Sequence, residues 1–408
     1  MYQFIYYLIF VPMLFYGLYF CLTGLYIFKK EKFVIKSHKP KNRIAILIAS
    51  RNEESVIGKL VDSLLKQKYP KELYDVYVIP NNCTDDTRGK ALEAGAKIID
   101  CKIKVSSKGE VLKYTFDYLK DEDYDAYIIF DADNIVHPNF LKRMNDALCD
   151  GYEVAQGFRD SKNPGDNWIT GGYSLFYWGQ NTFFSKARMN MGGSASINGT
   201  GFMIKKSVLD EYGFHPTTMT EDIEFTAQCA LNGKRIVFVD DAITYDEQPF
   251  DFKVSWKQRK RWSIGTYQCL VTYSWKLFKD AVKKKSLPCF DMSLFFLAPV
   301  TQVIGVIMTI MLVLYHIIGI KLSDIFSFMF AYRYLFFALS YIVSILIAVF
   351  VVKYNKKNVK KTLTGIMTFP IFILTWIPIN IVCLFTKKIK WEPIKHTRDI
   401  SIDNITSE

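Results

Sequence analysis

Residues 44–49 read IAILIA, and this apolar run is followed at once by the polar residues SRNE at 50–53. A continuous apolar run of this length, rich in isoleucine, is typical of a strand that is buried on both faces of a sheet. Apolar and amphipathic stretches alternate after it, predicting strands at 76–79, 97–99 and 127–130 and helices at 53–67, 84–94 and 108–119. This alternation predicts an α/β fold with a mostly parallel sheet and helices on both faces.

Three long apolar stretches lie outside this pattern. Residues 1–28 and 292–320 contain no charged side chain, and 325–352 has only Arg333 near one end. Each exceeds the roughly 20 residues that a membrane-spanning helix needs. The first stretch lacks the basic start and the small-residue cleavage site of a secretory signal, so we expect an anchor. These stretches exclude a disordered chain, a fibre and a simple soluble enzyme.

The basic excess of the chain lies beside these stretches. Residues 29–43 hold seven basic residues and one acidic residue, which is half of the net charge of +12. A basic flank beside a membrane helix predicts the cytoplasmic side, next to anionic headgroups. We therefore expect a multi-pass protein of the cell (plasma) membrane with a cytoplasmic globular domain in contact with the lipid bilayer. Nucleic acid is not an expected partner, because the charge is not spread over a folded domain with interleaved aromatic residues.

The sequence leaves open on which side of the membrane the chain ends. A basic loop at 353–361 is predicted to be cytoplasmic, and the apolar residues 362–386, with Pro370 and Pro378, follow it. If 362–386 spans the membrane, the basic start of the tail faces outward. If it forms a re-entrant hairpin broken at its prolines, the tail stays inside, which is the favoured arrangement.

Candidate ligand-binding residues follow the predicted strands, because parallel α/β sheets bind ligands beyond the carboxyl ends of their strands. The strand at 127–130 is followed by Asp131-Ala132-Asp133. Alternate residues of an extended chain point the same way, so both carboxylates face one point. Two hard oxygen ligands suit Mg²⁺ or Mn²⁺ bound to the phosphates of a substrate. The alternative is a solvated turn that caps the next helix.

The two neighbouring strands end in polar residues as well. Ser50-Arg51-Asn52-Glu53 follows the first strand, and the segment from Asn81 to Thr87 follows the second. An amide at Asn81 would pair with the edge of a nucleobase. The alternative is an ordinary turn followed by a helix cap.

Two further motifs carry candidate catalytic groups. Thr220-Glu221-Asp222 opens a predicted helix, where acidic residues either complement the helix dipole or supply a general base for an alcohol acceptor. Gln258, Arg261 and Trp262 are spaced i, i+3 and i+4, so they share one helix face. A guanidinium and an indole on one face suit the phosphates and the pyranose ring of a sugar diphosphate. The alternative is an interfacial helix with basic and aromatic anchors.

These motifs, in this order, resemble the membrane-bound family 2 glycosyltransferases, which include the synthases of cellulose, chitin, hyaluronan and poly-N-acetylglucosamine. The resemblance covers residues 42–265 and implies a GT-A-like nucleotide-diphospho-sugar transferase fold. Asp131-Ala132-Asp133 resembles the metal-binding Asp-x-Asp of the family. Thr220-Glu221-Asp222 resembles its Thr-Glu-Asp, which implies that Asp222 is the acceptor base with Glu221 beside it in the catalytic site.

The same resemblance implies the remaining site residues. Gln258 to Trp262 is similar to the Gln-x-x-Arg-Trp motif of the family, which lies at the diphosphate and the acceptor. Asn198 and Gly199 are similar to its glycine-rich loop under the acceptor sugar. The implied nucleotide-binding residues are Ser50, Arg51, Glu53, Asn81, Lys108 and Asp131. Asn81 departs from the family, which usually has Asp at this place; an amide can accept from the imide N–H of uracil, but it can also donate.

The resemblance implies an inverting enzyme that moves a sugar from a UDP-sugar to a growing β-linked polysaccharide with a divalent cation. Transfer of one sugar to a lipid acceptor remains the alternative, because only three or four apolar segments are visible. A catalytically silent membrane partner on the same scaffold is disfavoured, because the metal and base motifs are both intact.

The expected organisation has six parts, which follow one another along the chain: an N-terminal transmembrane helix at 1–28, a basic cytoplasmic linker at 29–42, a glycosyltransferase domain at 43–250, an amphipathic interfacial helix region at 251–285, a C-terminal transmembrane region at 286–386 with helices near 292–320, 325–352 and 362–386, and a polar tail at 387–408.

Overall fold

The computed structural model describes residues 2–319 and 324–386, together with residues 400 and 402. Its centre is a sheet of eight strands within these residues, in the order β3-β2-β1-β4-β7-β6-β8-β5. The strands are β1 (Ile44–Ser50), β2 (Tyr74–Pro80), β3 (Lys97–Ile98), β4 (Ala126–Asp131), β5 (Ile135–Val136), β6 (Val154–Ser161), β7 (Phe202–Lys205) and β8 (Ile236–Asp246). Only β5 and β7 run antiparallel to their neighbours in this sheet, so the predicted mostly parallel α/β sheet is confirmed.

The register of β1 brings the predicted ligand-binding residues together. Residues 44–48 have no solvent exposure, which explains the continuous apolar run. In this register Ala49 lies opposite both Ile79 of β2 and Asp131 of β4. The carboxyl ends of the three strands therefore lie side by side, and the polar segments that follow them share one edge.

Helices flank the sheet and continue into the apolar part of the chain. They are α1 (Tyr2–Gly24), α2 (Ile57–Leu65), α3 (Thr87–Glu93), α4 (Lys108–Tyr118), α5 (Phe140–Cys149), α6 (Trp168–Gly179), α7 (Ala187–Met191), α8 (Lys206–Tyr212), α9 (Glu221–Leu231), α10 (Phe252–Lys283), α11 (Leu287–Phe295), α12 (Ala298–Ile318), α13 (Asp324–Ala331), α14 (Arg333–Tyr354), α15 (Leu363–Leu374) and α16 (Trp376–Leu384). A π-helical segment, Gln180–Lys186, joins α6 to α7.

Two helices begin later than the sequence pattern predicts. The helix expected at 53–67 begins at Ile57, because the backbone N–H groups of Val56 and Ile57 both bond to the carbonyl of Glu53 in a tight turn. The helix expected at 84–94 begins at Thr87, because the Asp86 carboxylate caps it by accepting from the N–H of Gly89 at 3.1 Å. In both cases local side-chain and turn chemistry holds the residues at the strand ends out of the helix.

Among the described residues, four helices are long and apolar enough to cross a membrane, namely Tyr6–Phe28, Ala298–Ile318, Arg333–Tyr354 and Leu363–Leu384. The stretch expected at 292–320 begins its long helix only at Ala298, one residue before Pro299, a residue that is well tolerated in the first turn of a helix. The stretch expected at 325–352 is divided at Tyr332 into two helices. Residues 387–399, at the start of the predicted tail, lie outside the described residues.

The last apolar helices pack directly on the sheet domain. Gly171 of α6 and Gly365 of α15 are so close that a Cβ atom on Gly171 would lie 2.7 Å from the Cα atom of Gly365. The basic loop at 353–361 is tied to the same domain by an ion pair between Lys357 and Asp160. Backbone contact at glycine thus brings α15 and α16 to the side of α6 that carries its aromatic residues.

Candidate active site

A cavity of about 1370 Å³ lies at the carboxyl ends of β1, β2 and β4. Nearly all of the site residues predicted from the sequence line it: Arg51, Glu53, Asn81, Lys108, Asp131, Asp133, Asn198, Gly199, Glu221, Asp222, Gln258, Arg261 and Trp262. Ser50 lies outside this lining, since it is 1% exposed and its hydroxyl donates to the carbonyl of Ile48 at 3.4 Å. The tertiary structure therefore gathers motifs that are up to about 210 residues apart in the sequence into one place.

An ion pair lies at the centre of the cavity. Lys108, the first residue of α4, donates from Nζ to Asp131 at the end of β4 and to the carbonyl of Gly199 at 2.7 Å. Burial alone would raise the pKa of Asp131, but the adjacent Lys108 outweighs burial and holds this pKa below its usual range. Burial likewise opposes the charge of Lys108, yet Asp131 and Glu221 keep its pKa above the usual range. Both groups are therefore charged at neutral pH.

Gly199 separates the two carboxylates to which the sequence assigns different roles. Its φ of +90° lies in the left-handed region, which favours glycine. A Cβ atom at this position would lie 3.4 Å from Oδ2 of Asp222 and 4.0 Å from Oδ2 of Asp131. Oδ2 of the candidate base and Oδ2 of the candidate metal ligand thus both lie within about 4 Å of the point at which a side chain on Gly199 would begin, a space that glycine leaves empty.

Asp222 lies in the first turn of α9, next to Glu221. Burial first, and then the neighbouring charge of Glu221, raises the pKa of Asp222 to about 7. The N–H of Ile223 and the cations Lys108 and Arg159 act in the opposite direction. A carboxyl that titrates near neutral pH is well matched to accepting a proton from a hydroxyl group.

The helix α10 presents Gln258, Arg261 and Trp262 to the same cavity, as their helical spacing requires. The ring of Trp262 stacks on Phe176 of α6, with centroids 6.4 Å apart, and on Trp376 of α16, with centroids 6.3 Å apart. These three rings form an aromatic surface that extends the site towards the apolar helices. Oε1 of Gln258 is buried and has no hydrogen-bond partner among the described residues, so this residue of the cavity lining carries an unsatisfied acceptor.

The donor set fits a divalent cation that is shared with a substrate. Asp133 is 7% exposed, and its Oδ2 accepts from the backbone N–H of Glu247 at 3.2 Å. Within the described part of the chain, no three His, Cys, Asp or Glu side chains are grouped as a metal site. Mg²⁺ commonly binds through one or two carboxylates plus water and substrate phosphates. Asp131 and Asp133 therefore suit a cation whose remaining ligands come with the substrate.

Sequence reasoning missed Arg159 and Asp246, which also line the cavity. Arg159 donates from Nε to Asp246 at 2.7 Å and from Nη1 to the carbonyl of Asn198 at 2.6 Å, and its guanidinium lies 3.8 Å from the ring centroid of Tyr177. It thereby supports the loop that contains Gly199. The sequence signal for Arg159 was the pair of charged residues Arg159-Asp160. In the structure the pair lies in β6, a strand whose eight residues are all buried, where charged side chains are rare unless they are paired.

Residues 40–265 match the protein family described as Glycosyltransferase like family 2. The chain is 27% identical over 281 residues to the probable glycosyltransferase YdaM of Bacillus subtilis, covering 65% of this chain and 64% of that protein. It is 25% identical over 285 residues to the beta-monoglucosyldiacylglycerol synthase of Synechocystis sp., covering 66% and 58%. The chain thus spans slightly less than two thirds of the length of these two relatives. A poly-beta-1,6-N-acetyl-D-glucosamine synthase of Staphylococcus epidermidis is 24% identical over 294 residues, covering 69% of each chain.

Among solved structures, the mannosyltransferase PcManGT from Pyrobaculum calidifontis, in complex with GDP-Man and Mn²⁺, aligns with a TM-score of 0.61. The alignment covers 93% of this chain and 99% of that chain at 16% identity, which supports the GT-A-like fold alone. The family match covers more than half of the chain and includes every motif from the end of β1 to Trp262. The chain therefore belongs to Glycosyltransferase like family 2.

Proposed function

We propose that the chain is a membrane-embedded inverting glycosyltransferase that moves a sugar from a UDP-sugar to an acceptor hydroxyl, with Mg²⁺ or Mn²⁺. One observation carries the proposal: carboxylate oxygens of Asp222 and Asp131 both lie within about 4 Å of the space that the missing side chain of Gly199 leaves open. A displacement at the anomeric carbon needs a base on the side of the acceptor and charge stabilisation on the side of the leaving group. The two carboxylates supply one function each.

In this mechanism Asp222 accepts the proton of the acceptor hydroxyl while that oxygen attacks the anomeric carbon. The bond from the anomeric carbon to the phosphate oxygen breaks on the opposite face, which inverts the configuration and gives a β-linkage. Asp131 and Asp133 would hold the cation, which neutralises charge on the diphosphate when it is bound. Lys108 and Arg261 add positive charge on the diphosphate side, and Trp262 offers a flat surface to a sugar ring.

The side chain of Asn81 supports a uridine donor. Its Nδ2 donates to the carbonyl of Ser50 at 3.0 Å, and a carbonyl partner requires the N–H end of the amide there. Oδ1 of Asn81 then remains to accept from a base, as the imide N–H of uracil requires. Guanine also presents an N–H donor, and PcManGT binds GDP-Man, so GDP-sugars belong in any donor panel.

The membrane placement that goes with this function is multi-pass, with the catalytic domain on the cytoplasmic side, where nucleotide sugars are found. The basic residues at 29–43 and the contact of the basic loop at 353–361 with Asp160 support it. The names of the relatives suggest two classes of acceptor. The poly-beta-1,6-N-acetyl-D-glucosamine synthase suggests a growing polysaccharide, and the beta-monoglucosyldiacylglycerol synthase suggests a lipid.

The test is nucleotide release by the purified full chain in nanodiscs, with a panel of UDP- and GDP-sugars and either Mn²⁺ or Mg²⁺. Asp222→Asn should abolish transfer and leave nucleotide binding within about twofold, because the amide keeps the shape but cannot accept the proton. Asp121→Asn, at an exposed position, is the matched control. Transfer that persists in Asp222→Asn would contradict the base assignment, and no release with any donor would favour a catalytically silent membrane partner.

A further inference from the structure

We propose that the cavity continues into an acceptor site for a lipid with an uncharged, hydroxyl-bearing headgroup. The inference rests on the proposed function, which leaves the acceptor open. The site has two parts, an amide pair (Gln302 and Asn380) and an apolar lobe. The apolar lobe is formed by Phe20, Pro299, Ile347, Val351, Phe369 and Ile373.

The apolar lobe belongs to the same cavity as Asp222. Each of the four helices that are long and apolar enough to cross a membrane contributes to it. The volume of about 1370 Å³ exceeds the roughly 300 to 1000 Å³ of ordinary small-molecule sites, so there is room for a second ligand beside a nucleotide sugar.

The chemistry of the apolar lobe favours acyl chains over saccharides. Its members carry no side-chain hydrogen-bonding group. A polysaccharide has hydroxyl groups all round and would lose its hydrogen bonds to water there without replacing them. Acyl chains have no such bonds to lose and gain from burial.

Asn380 supplies the polar end of the site. It is 2% exposed, lines the cavity, and donates from Nδ2 to Oε1 of Gln302 at 2.7 Å. Oδ1 of Asn380 is buried and has no hydrogen-bond partner among the described residues. A buried acceptor without a partner is costly unless a ligand or a water satisfies it. A hydroxyl group of the lipid headgroup would donate to it.

The lining that α12, α14, α15 and α16 contribute favours an uncharged headgroup. The described lining residues of α12, α14, α15 and α16 include no Asp, Glu, Lys or Arg. A phosphate beside these helices would find no cation among their lining residues, and the guanidinium of Arg261 on α10, which lines the same cavity, is assigned to the diphosphate of the donor. Trp376, which also lines this part, stacks on Trp262 and so connects the amide pair with the site of transfer.

The test uses the full chain in nanodiscs with a photoactivatable diacylglycerol that carries a diazirine on one acyl chain. Ile373→Trp fills the apolar lobe, and Ile371→Trp, two residues away on the same helix and 47% exposed, is the matched control. We expect Ile373→Trp to reduce labelling of residues 347–351 and 369–376 at least tenfold, and Ile371→Trp to leave it within twofold. Unlabelled dioleoylglycerol should compete, and dioleoylphosphatidic acid should not.

A second variant keeps the test independent of the bulky substitution. Asn380→Leu keeps the branching and the number of side-chain heavy atoms but removes the acceptor, together with the donor to Gln302. The KM for dioleoylglycerol should therefore rise about tenfold, the value of one hydrogen bond, while the KM for the sugar donor is unchanged. An unchanged lipid KM in Asn380→Leu would overturn the role of the amide pair.

The remaining outcomes separate this proposal from the proposed function. Three outcomes would overturn the lipid site: equal labelling in the two isoleucine variants, equal competition by phosphatidic acid, or elongation of an added oligosaccharide as the sole transfer. Nucleotide release in the same experiments would still support the glycosyltransferase function. Specific, competable labelling without nucleotide release from any donor would uphold the lipid site and overturn the enzymatic function.

Discussion

Gly265 of α10 lies against Thr220 at the start of α9, so closely that a Cβ atom on Gly265 would come within 2.5 Å of the methyl carbon Cγ2 of Thr220. This contact joins the helix that carries Trp262 to the helix that carries Asp222. Because protein interiors are close-packed, the absence of a side chain at Gly265 sets the distance between the aromatic surface and the candidate base.

Gly265→Ala is therefore expected to displace Asp222 and to lower kcat at least tenfold, while nucleotide binding is kept. The added methyl group should also cost about 1 to 3 kcal/mol of stability, as overpacking usually does. Steady-state kinetics and thermal unfolding in detergent measure the two effects. Gly58→Ala in α2, where a Cβ would have no neighbour within 4 Å, is the control and should leave both unchanged or slightly improve stability. Equal kinetics in the two variants would refute the spacing role.

Transfer should depend on pH through Asp222. Burial and Glu221 raise its pKa to about 7, so the group is mostly protonated below that pH and cannot act as a base. The kcat/KM should therefore rise about tenfold per pH unit below 7 and level off above it. Rates measured from pH 5 to pH 9 at saturating cation test this, and a flat profile would speak against a base with this pKa.

Glu221→Gln is the matching change to the neighbour of the base. Removing its negative charge takes away a cause that raises the pKa of Asp222, so the midpoint of the profile should move to lower pH. Glu211→Gln removes a charge at an exposed side chain and should leave the midpoint in place. A midpoint that moves upward in Glu221→Gln would contradict the electrostatic assignment.

Arg159→Met is expected to lower the free energy of unfolding by about 3 to 5 kcal/mol, because it leaves the buried Asp246 without its partner. The double variant Arg159→Met with Asp246→Asn should recover part of this loss, since no unpaired charge then remains. Thermal unfolding of Arg159→Met, of Asp246→Asn and of the double variant measures the coupling. If the losses in the free energy of unfolding of the two single variants add up in the double variant, the ion pair between Arg159 and Asp246 is not the cause of the destabilisation.

Asp133→Asn should raise the Mn²⁺ concentration needed for half-maximal nucleotide release at least tenfold, because one of two carboxylate ligands is lost. The exposed control Asp121→Asn should leave this Mn²⁺ concentration unchanged. Cation titration of nucleotide release gives the comparison. Full activity of either protein after chelation of divalent cations would contradict metal use.

Several features could be predicted because their cause is local. The run at 44–49 is apolar since both faces of β1 are buried, and the spacing of Asp131 and Asp133 follows from the alternation of an extended chain. The helical spacing of Gln258, Arg261 and Trp262 likewise needs no tertiary information. Helix starts were less accurate, because the turn at Glu53 and the cap at Asp86 compete with the helical pattern.

Other features depend on partners that are distant in the sequence. Arg159 becomes part of the site through Asp246, 87 residues later, and through the carbonyl of Asn198. Ser50 is the last residue of β1, as Asp131 is of β4, yet its hydroxyl turns back to its own strand. The periodicity of the sequence predicts neither the position of Arg159 in the site nor the orientation of the Ser50 hydroxyl. Both follow from the packing of several elements around the loop at Gly199.

The sequence by itself determined the fold class, the apolar stretches and the order of the motifs, since strand burial, helix periodicity and charge at bilayer edges act over short stretches of chain. Tertiary packing alone brings Asp222, Asp131 and Lys108 close to Gly199, sets the position of α9 at Gly265, and leaves a buried amide oxygen of Asn380, a residue that lines the cavity, without a partner among the described residues. The physical reason is that the distances between carboxylates and the desolvation that shifts a pKa arise when separate elements are packed together.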